Sequence, residues 1–253
     1  MRITHINATC SSGSTGSIVR QLRDFAIAKG HKVRVFYGAD AQPYEGAMRI
    51  GSRPGQVLHA LKSRLTGRQG YASRFATREL LRSLDMFEPD VVHLHNLHAN
   101  YVNLPMLLGY LAKHDVATVL TLHDCWFFTG KCTYPVQTGC LKWAEGECRE
   151  CPQLRLDNVN PTWFFDRTQR CFDDKKVLFA AIPRLGVVGV SDWITNEARS
   201  SFLAARHPVR IYNWVDRAAF QPRPKGDVDS LRRRLGIRAD EKMVLFVSSN
   251  LSE

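Results

Sequence analysis

Pro89-Asp90-Val91-Val92-His93-Leu94-His95 is the stretch on which the fold reading turns. A proline ends the preceding helical pattern, and the apolar run that follows is short and continuous, as in a strand buried on both faces. Ala117–Leu122 repeats the pattern and runs into His123-Asp124, and Arg2–Asn7, Lys32–Tyr37 and Leu185–Val190 repeat it again. Between these runs lie stretches with helical periodicity, Ser17–Lys29, Arg74–Phe87, Tyr101–His114, Trp163–Ala180 and Asp192–Ser200, and a short strand is expected at Val209–Ile211. Strand-then-helix order repeated along a chain predicts an α/β protein with a doubly wound, Rossmann-like parallel sheet. Residues 41 to 73, rich in Gly, Arg and Ser, read as loop around one short helix.

With 253 residues, 44% of them hydrophobic, the chain is long enough for a substantial core. Thirty-five Lys and Arg against 24 Asp and Glu give a formal charge of +11, which favours anionic partners without choosing among them. No run approaches the ~20 apolar residues of a membrane span, and residues 1–7 read as a strand without a signal peptide's apolar core. A cytoplasmic protein is therefore expected. The basic, aromatic-bearing region from Arg53 to Arg82 reads as a solvated face or as a contact with an anionic membrane surface. No nucleic-acid reader motif accompanies it, so no nucleic acid is expected.

Several residues cluster where strands end. Ser11-Ser12-Gly13-Ser14-Thr15-Gly16-Ser17 links a strand to a helix, a position where backbone amides and a helix N-terminus favour a negative ligand, or where an ordinary turn stands. It lacks the third glycine of a dinucleotide fingerprint. His93, His95 and His98 sit at a strand's C-terminal end, where open α/β sheets bind ligands. Alternation places His93 and His95 on one face, but no neighbouring carboxylate or cysteine completes a metal set, so none is expected there. His123 should land beside His95 if their strands are neighbours, with Asp124 orienting the ring, acting as a base, or simply pairing with it.

Five of the seven cysteines crowd between Cys125 and Cys151. Cys132-x7-Cys140-x7-Cys148-x2-Cys151 has the ligand count of tetrahedral structural zinc, in a segment with few helix or strand features. Reduced free thiols and disulfides are the alternatives. Asn213–Pro224 is linker-like, Asp227–Leu235 helical and Lys242–Val247 strand-like, so the expected division is a first domain over 1–212 with a cysteine-rich insertion over 125–160. A hinge over 213–241 and the opening of a second domain over 242–253 follow.

Taken in order, Asn7–Gly16, Gly70-Tyr71-Ala72-Ser73, Pro89–Asn96, Thr121–Trp126, Phe128–Cys132, Cys148–Gln153, Val190-Ser191-Asp192-Trp193 and Ile211–Asp216 make the chain similar to bacterial family-four glycosyltransferases of the colanic-acid and exopolysaccharide type. The resemblance implies a GT-B fold of two Rossmann-like halves, of which this chain carries the N-terminal, acceptor-side one. It implies a retaining transfer from a nucleotide sugar, the co-substrate, to a lipid-linked or saccharide acceptor, without a catalytic metal. Any zinc would be structural. Ser12, Gly13, Gly16, His95 and Asn96 would contact substrate, with His123 and Asp124 at the reacting centre. The donor half would be missing or separately encoded, leaving the piece inactive alone, on the inner face of the membrane. The alternative is a non-catalytic, zinc-clamped acceptor-binding or membrane-docking module. Trp214 stands where the family's N-G-x-D hinge has glycine, and Val247–Leu251 resembles the first strand and loop of the donor half.

Overall fold

The computed structural model describes residues 1–156, 161–215, 218 and 220–246. Residues Met1–Asn213 form one compact unit and Trp214–Glu253 a second.

The first unit is built on a seven-stranded, all-parallel sheet: β1 (Arg2–Asn7), β2 (Lys32–Tyr37), β3 (Ala47–Arg49), β4 (Val91–Leu94), β5 (Ala117–Leu122), β6 (Leu185–Gly189) and β7 (Val209–Arg210), in the order β3-β2-β1-β4-β5-β6-β7. Helices α1 (Gly13–Ala28), α2 (Arg53–Thr66), α3 (Arg74–Phe87), α4 (Leu104–Lys113), α5 (Thr168–Ala180) and α6 (Asp192–Arg199) connect the strands. This is the doubly wound, Rossmann-like arrangement expected, and its strand order reverses between β1 and β4. The register pairs His5 with His93 and Ile6 with Leu94 across that point.

Side chains of successive strand residues face opposite ways, so the sheet has two packed faces. Phe36, Ile6, Leu94, Leu120 and Leu122 join the large core with Leu80 and Leu84 of α3 and Leu107, Leu108 and Leu111 of α4. Val35 and Tyr37 face the other way, into a smaller cluster with Val19 of α1 and Cys10. Helix starts follow local chemistry. Asn103 and Ser191 accept from the amides of Met106 at 3.1 Å and Ile194 at 3.3 Å, capping α4 and α6.

Four expectations need correction. Residues 41 to 73 hold strand β3 and the 14-residue α2, not a loop around a short helix. The helix is longer than expected because its apolar residues Val57, Leu58, Leu61 and Leu65 point to solvent, while His59 and Ser63 are buried, so the pattern of a core-facing helix is missing. Helix α1 begins at Gly13, four residues before the expected start, with Ser12 in the N-cap position in extended backbone and without a side-chain cap bond. Helix α5 begins at Thr168 and not at Trp163; Asp166 accepts from the Thr168 amide at 2.9 Å. In the second unit α7 (Lys225–Arg234) forms, but Lys242–Phe246 is not a strand, and Met243, Val244, Leu245 and Phe246 are exposed. A lone parallel strand has no neighbour to accept its ladder bonds. Val247–Leu251 and Asp216 lie outside the described residues. Trp214 does not adopt a positive φ, so the bulky residue at this position carries no left-handed strain.

His59, buried between α2 and α3, joins Ser73 Oγ at 2.8 Å, and the Ala72 amide donates to its Nε2 at 3.4 Å. Burial first, and Lys62 second, lower its pKa to about 4. Below the unfolded value of about 6.5 the open chain takes up a proton that the folded chain refuses, so stability rises with pH through this window and is lost on acidification. Denaturant titrations from pH 7 to pH 4.5 should show this decline. His59→Asn should reduce its slope by up to about 1.4 kcal/mol per pH unit, and an unchanged slope would remove His59 as a contributor.

Candidate functional site at the carboxyl edge of the sheet

At the reversal between β1 and β4 the strands end in loops that are tied together. Asn7 Nδ2 donates to the Thr9 carbonyl at 2.8 Å, while its Oδ1 accepts from the Asn96 amide at 3.0 Å. One buried side chain thus joins the loop after β1 to the loop after β4. Gly13, at φ +68°, turns the first loop into α1, a conformation that glycine adopts without penalty.

Ser12, Gly13, Asn96, His123 and Asp124 line one cleft of about 400 Å³, with Tyr134 and Val190. His95 and Gly16 stand behind this surface. His95 is fully buried, its Nδ1 lying 3.2 Å from His123 Nε2 with the rings stacked. Gly16 is a packing residue: a Cβ there would lie 2.7 Å from Thr9 Oγ1 and 2.9 Å from the Ser11 backbone.

The amides of the serine–glycine loop are partly engaged. Asp40 Oδ2 accepts from the backbone N–H of Cys10 and Ser11 at 2.7 Å each and of Ser12 at 3.0 Å. Burial alone would raise this carboxyl's pKa, but the amides of Ser12, Ser11 and Gln42 hold it well below the usual carboxylate range. An internal carboxylate thus occupies the first half of the loop. The second half is the start of α1, where Ser12 makes no side-chain cap bond, so the helix N-terminus faces the cleft with its positive end.

His123 reaches the cleft from the end of β5. Burial, the largest influence, lowers its pKa to about 4; Asp124 pulls the other way and His98 adds to the lowering. The ring is therefore neutral at pH 7, able to donate from one nitrogen and accept at the other. Asp124 is engaged elsewhere. Its Oδ1 accepts from the Trp126 amide at 2.9 Å and its Oδ2 lies 3.0 Å from His98 Nε2. Its influence on His123 is through space.

The cysteine segment after β5 carries three single-turn 3-10 helices, at Trp126–Phe128, Pro135–Thr138 and Lys142–Glu145. Cys132 Sγ and Cys151 Sγ are 3.8 Å apart, far beyond a disulfide's ~2.05 Å. The Gly130 amide donates to Cys148 Sγ at 3.1 Å, and Cys140 is half-buried. All seven cysteines are free. Two buried lysines, to which the sequence assigned no such role, hold the segment. Lys131 Nζ donates to the carbonyls of Gln153 and Leu154 at 3.0 Å each. Lys175 Nζ donates to those of Trp126 at 2.6 Å and Thr129 at 2.9 Å, above the Trp126 ring. His5, Asp40 and Tyr134 were likewise missed, because nothing local marks them; each matters through a partner distant in sequence. A larger cavity of about 730 Å³ lies among the helices, with Lys62, Arg68 and Arg74 on its wall.

The parallel sheet and the loop cluster at its reversal define a Rossmann-like α/β protein with a cleft at its switch point, and the comparisons give the family. Residues 15–154, more than half of the chain, match Glycosyltransferase Family 4; the chain belongs to that family. It is 27% identical over 205 residues to the putative colanic acid biosynthesis glycosyl transferase WcaC of Escherichia coli (strain K12), over 76% of this chain and 48% of that protein. The chain thus spans about half the length of the curated relative it matches. Among solved structures it is similar to the UDP-glucose 4-epimerase of Thermus thermophilus in complex with NAD, at 16% identity and a TM-score of 0.34. It is similar also to the Bordetella bronchiseptica enzyme WbmH in complex with NAD+, at 12% identity and 0.35. Each alignment covers 75% of this chain and 54% of the other.

Proposed function

We propose that the chain is the acceptor-side half of a nucleotide-sugar-dependent, retaining glycosyltransferase of cell-surface polysaccharide biosynthesis, acting on a lipid-linked or saccharide acceptor. The observation that carries the reading is the meeting of Gly13, Asn96 and His123 in one cleft at the strand reversal. There the α1 N-terminus favours the charge of a donor phosphate, and the neutral His123 ring hydrogen-bonds a sugar or acceptor hydroxyl. Transfer then depends on positioning the reactants and stabilising the departing phosphate. On this reading residues 1–212 are the acceptor domain, 213–241 the hinge and 242–253 the opening of a donor domain, which belongs to the same polypeptide or is supplied separately.

The acceptor side also offers a docking face. Val57, Leu58, Leu61 and Leu65 of α2 are exposed beside Lys62 and Arg64, and so are Trp163, Phe164 and Phe165. The Trp163 amide donates to the Arg64 carbonyl at 2.8 Å, which places the two groups side by side. Apolar side chains interleaved with cations suit an anionic lipid surface on the cytoplasmic side of the membrane. No helix among the described residues is long and apolar enough to cross a membrane.

Structural zinc at Cys132, Cys140, Cys148 and Cys151 completes the proposal. Tetrahedral zinc with Zn–S bonds of about 2.3 Å separates its sulfurs by about 3.8 Å; the Cys132–Cys151 pair stands at that spacing, while no three of the four sulfurs lie within 4.8 Å of one another, so the ion would have to draw the remaining thiols in. The ion would clamp the segment that carries Tyr134 to the cleft and take no part in the transfer.

In an enzyme completed with its donor half, His123→Ala should lower kcat/KM by about 10²-fold or more, with the thermal midpoint little changed; undiminished turnover would exclude His123 from the reaction. Cys148→Ser should lower bound zinc and thermal stability together, and freshly reduced wild-type protein without sulfur-bound zinc would refute the clamp. The chain should co-sediment with vesicles containing phosphatidylglycerol at low salt and be released near 1 M salt, where the Debye length falls to about 3 Å. Leu61→Glu should abolish that binding, and equal binding to neutral vesicles would contradict the electrostatic part.

A further inference from the structure

The face of β1, β4 and β5 that looks toward Val35 and Tyr37 is filled by imidazole where an aliphatic layer would ordinarily stand. His5 and His93 are register partners on adjacent strands, and His95 follows His93 by two residues, so all three project to one side. Their ring centroids are 4.1 to 5.7 Å apart. One nitrogen from each ring lies within 4.8 Å of the other two.

Two further observations single this cluster out. Both nitrogens of His5 and the Nε2 of His95 are buried without a hydrogen-bond partner, in residues 2% and 0% exposed. An unsatisfied polar atom in such a place costs stability, and native interiors rarely leave three together. One nitrogen each of His93 and His95, by contrast, is engaged. His93 Nε2 is 2.7 Å from Thr121 Oγ1, and His95 Nδ1 is 3.2 Å from His123 Nε2. If each engaged nitrogen donates its proton, the remaining nitrogens of His93 and His95 present lone pairs. That is the pattern of metal-bound histidines, whose second nitrogen donates to a neighbouring group.

We propose that His5, His93 and His95 form a buried three-imidazole site for a borderline divalent cation such as Zn²⁺. Metal–nitrogen bonds of about 2.0–2.1 Å in a tetrahedral site set the nitrogens about 3.3 Å apart, so the ion would draw the three rings, whose nitrogens lie within 4.8 Å of one another, closer together. Sequence spacing alone did not reveal the site, because the third ligand comes from a strand 88 residues away from the His93 position. An ion on His95 Nε2 would also strengthen His95 Nδ1–H as a donor to His123, and so fix the proton of His123 on Nδ1. This last consequence rests on the transfer reading; the site itself does not.

The test uses the whole chain, refolded in Zn²⁺ and freed of loose metal. Zinc-edge X-ray absorption on the wild type should show imidazole nitrogens as ligands, and Cys148→Ser should retain that nitrogen-bound equivalent. His5→Leu should lose one equivalent per chain, and with it the rise in thermal midpoint that Zn²⁺ gives Cys148→Ser. A wild-type shell of sulfur alone would overturn the site, as would equal zinc content in wild type and His5→Leu. Should His5→Leu fail to fold, the absorption spectrum of the wild type decides the matter. Because no arm measures turnover, failure of the glycosyltransferase reading leaves the outcome untouched.

Discussion

The parallel ladder between β1 and β4 is the contact on which the rest of the molecule depends, because the sheet's winding direction reverses there. Where neighbouring crossovers depart to opposite faces, the loops at the strands' carboxyl ends part and leave a crevice. In this chain the Asn7 side chain spans that parting, binding one loop through its amide nitrogen and the other through its oxygen. The ladder also sets His5 against His93. A slip of one residue would put the two side chains on opposite faces of the sheet and break the bridge to Asn96. Cleft, bridge and histidine layer are three consequences of one register.

Polar groups that elsewhere would be left in water serve inside this fold to hold loops. Asp40 gathers three consecutive amides of the serine–glycine loop, and Lys131 and Lys175 gather the carbonyls of the cysteine segment. Burial lowers the Lys175 pKa to about 8, with nearby thiols and Asp124 opposing the shift. Segments without strand or helix have backbone groups to satisfy, and a buried charge with several hydrogen bonds does this at few positions. The same arrangement explains why His123 is presented with a defined neighbour: the loops around it are held from behind.

Much of the architecture was legible because it is periodic. The apolar runs Val91–Leu94 and Ala117–Leu122, each followed by a helical pattern, announced a parallel sheet, and the helix Arg74–Phe87 ends where Pro89 requires. The extent of helix α2 was not legible, since its largest apolar residues are exposed. In the cleft, Gly13, Asn96 and His123 were found because residues at strand ends meet. Gly16 and His95, expected to contact substrate, lie one layer behind the cleft's lining.

By itself the sequence determined most of the central strands and the helices that pack on them, their order, and the glycosyltransferase family whose motifs they carry, since these follow from short-range periodicity and motif identity. Only the tertiary structure decided which side chains face one another across the β1–β4 ladder. Asp40 on the loop amides, Lys175 on two carbonyls and His5 beside His93 are contacts between residues 28 to 88 positions apart. Such contacts exist only once the sheet has fixed its register, because nothing in the local pattern of either partner specifies the other.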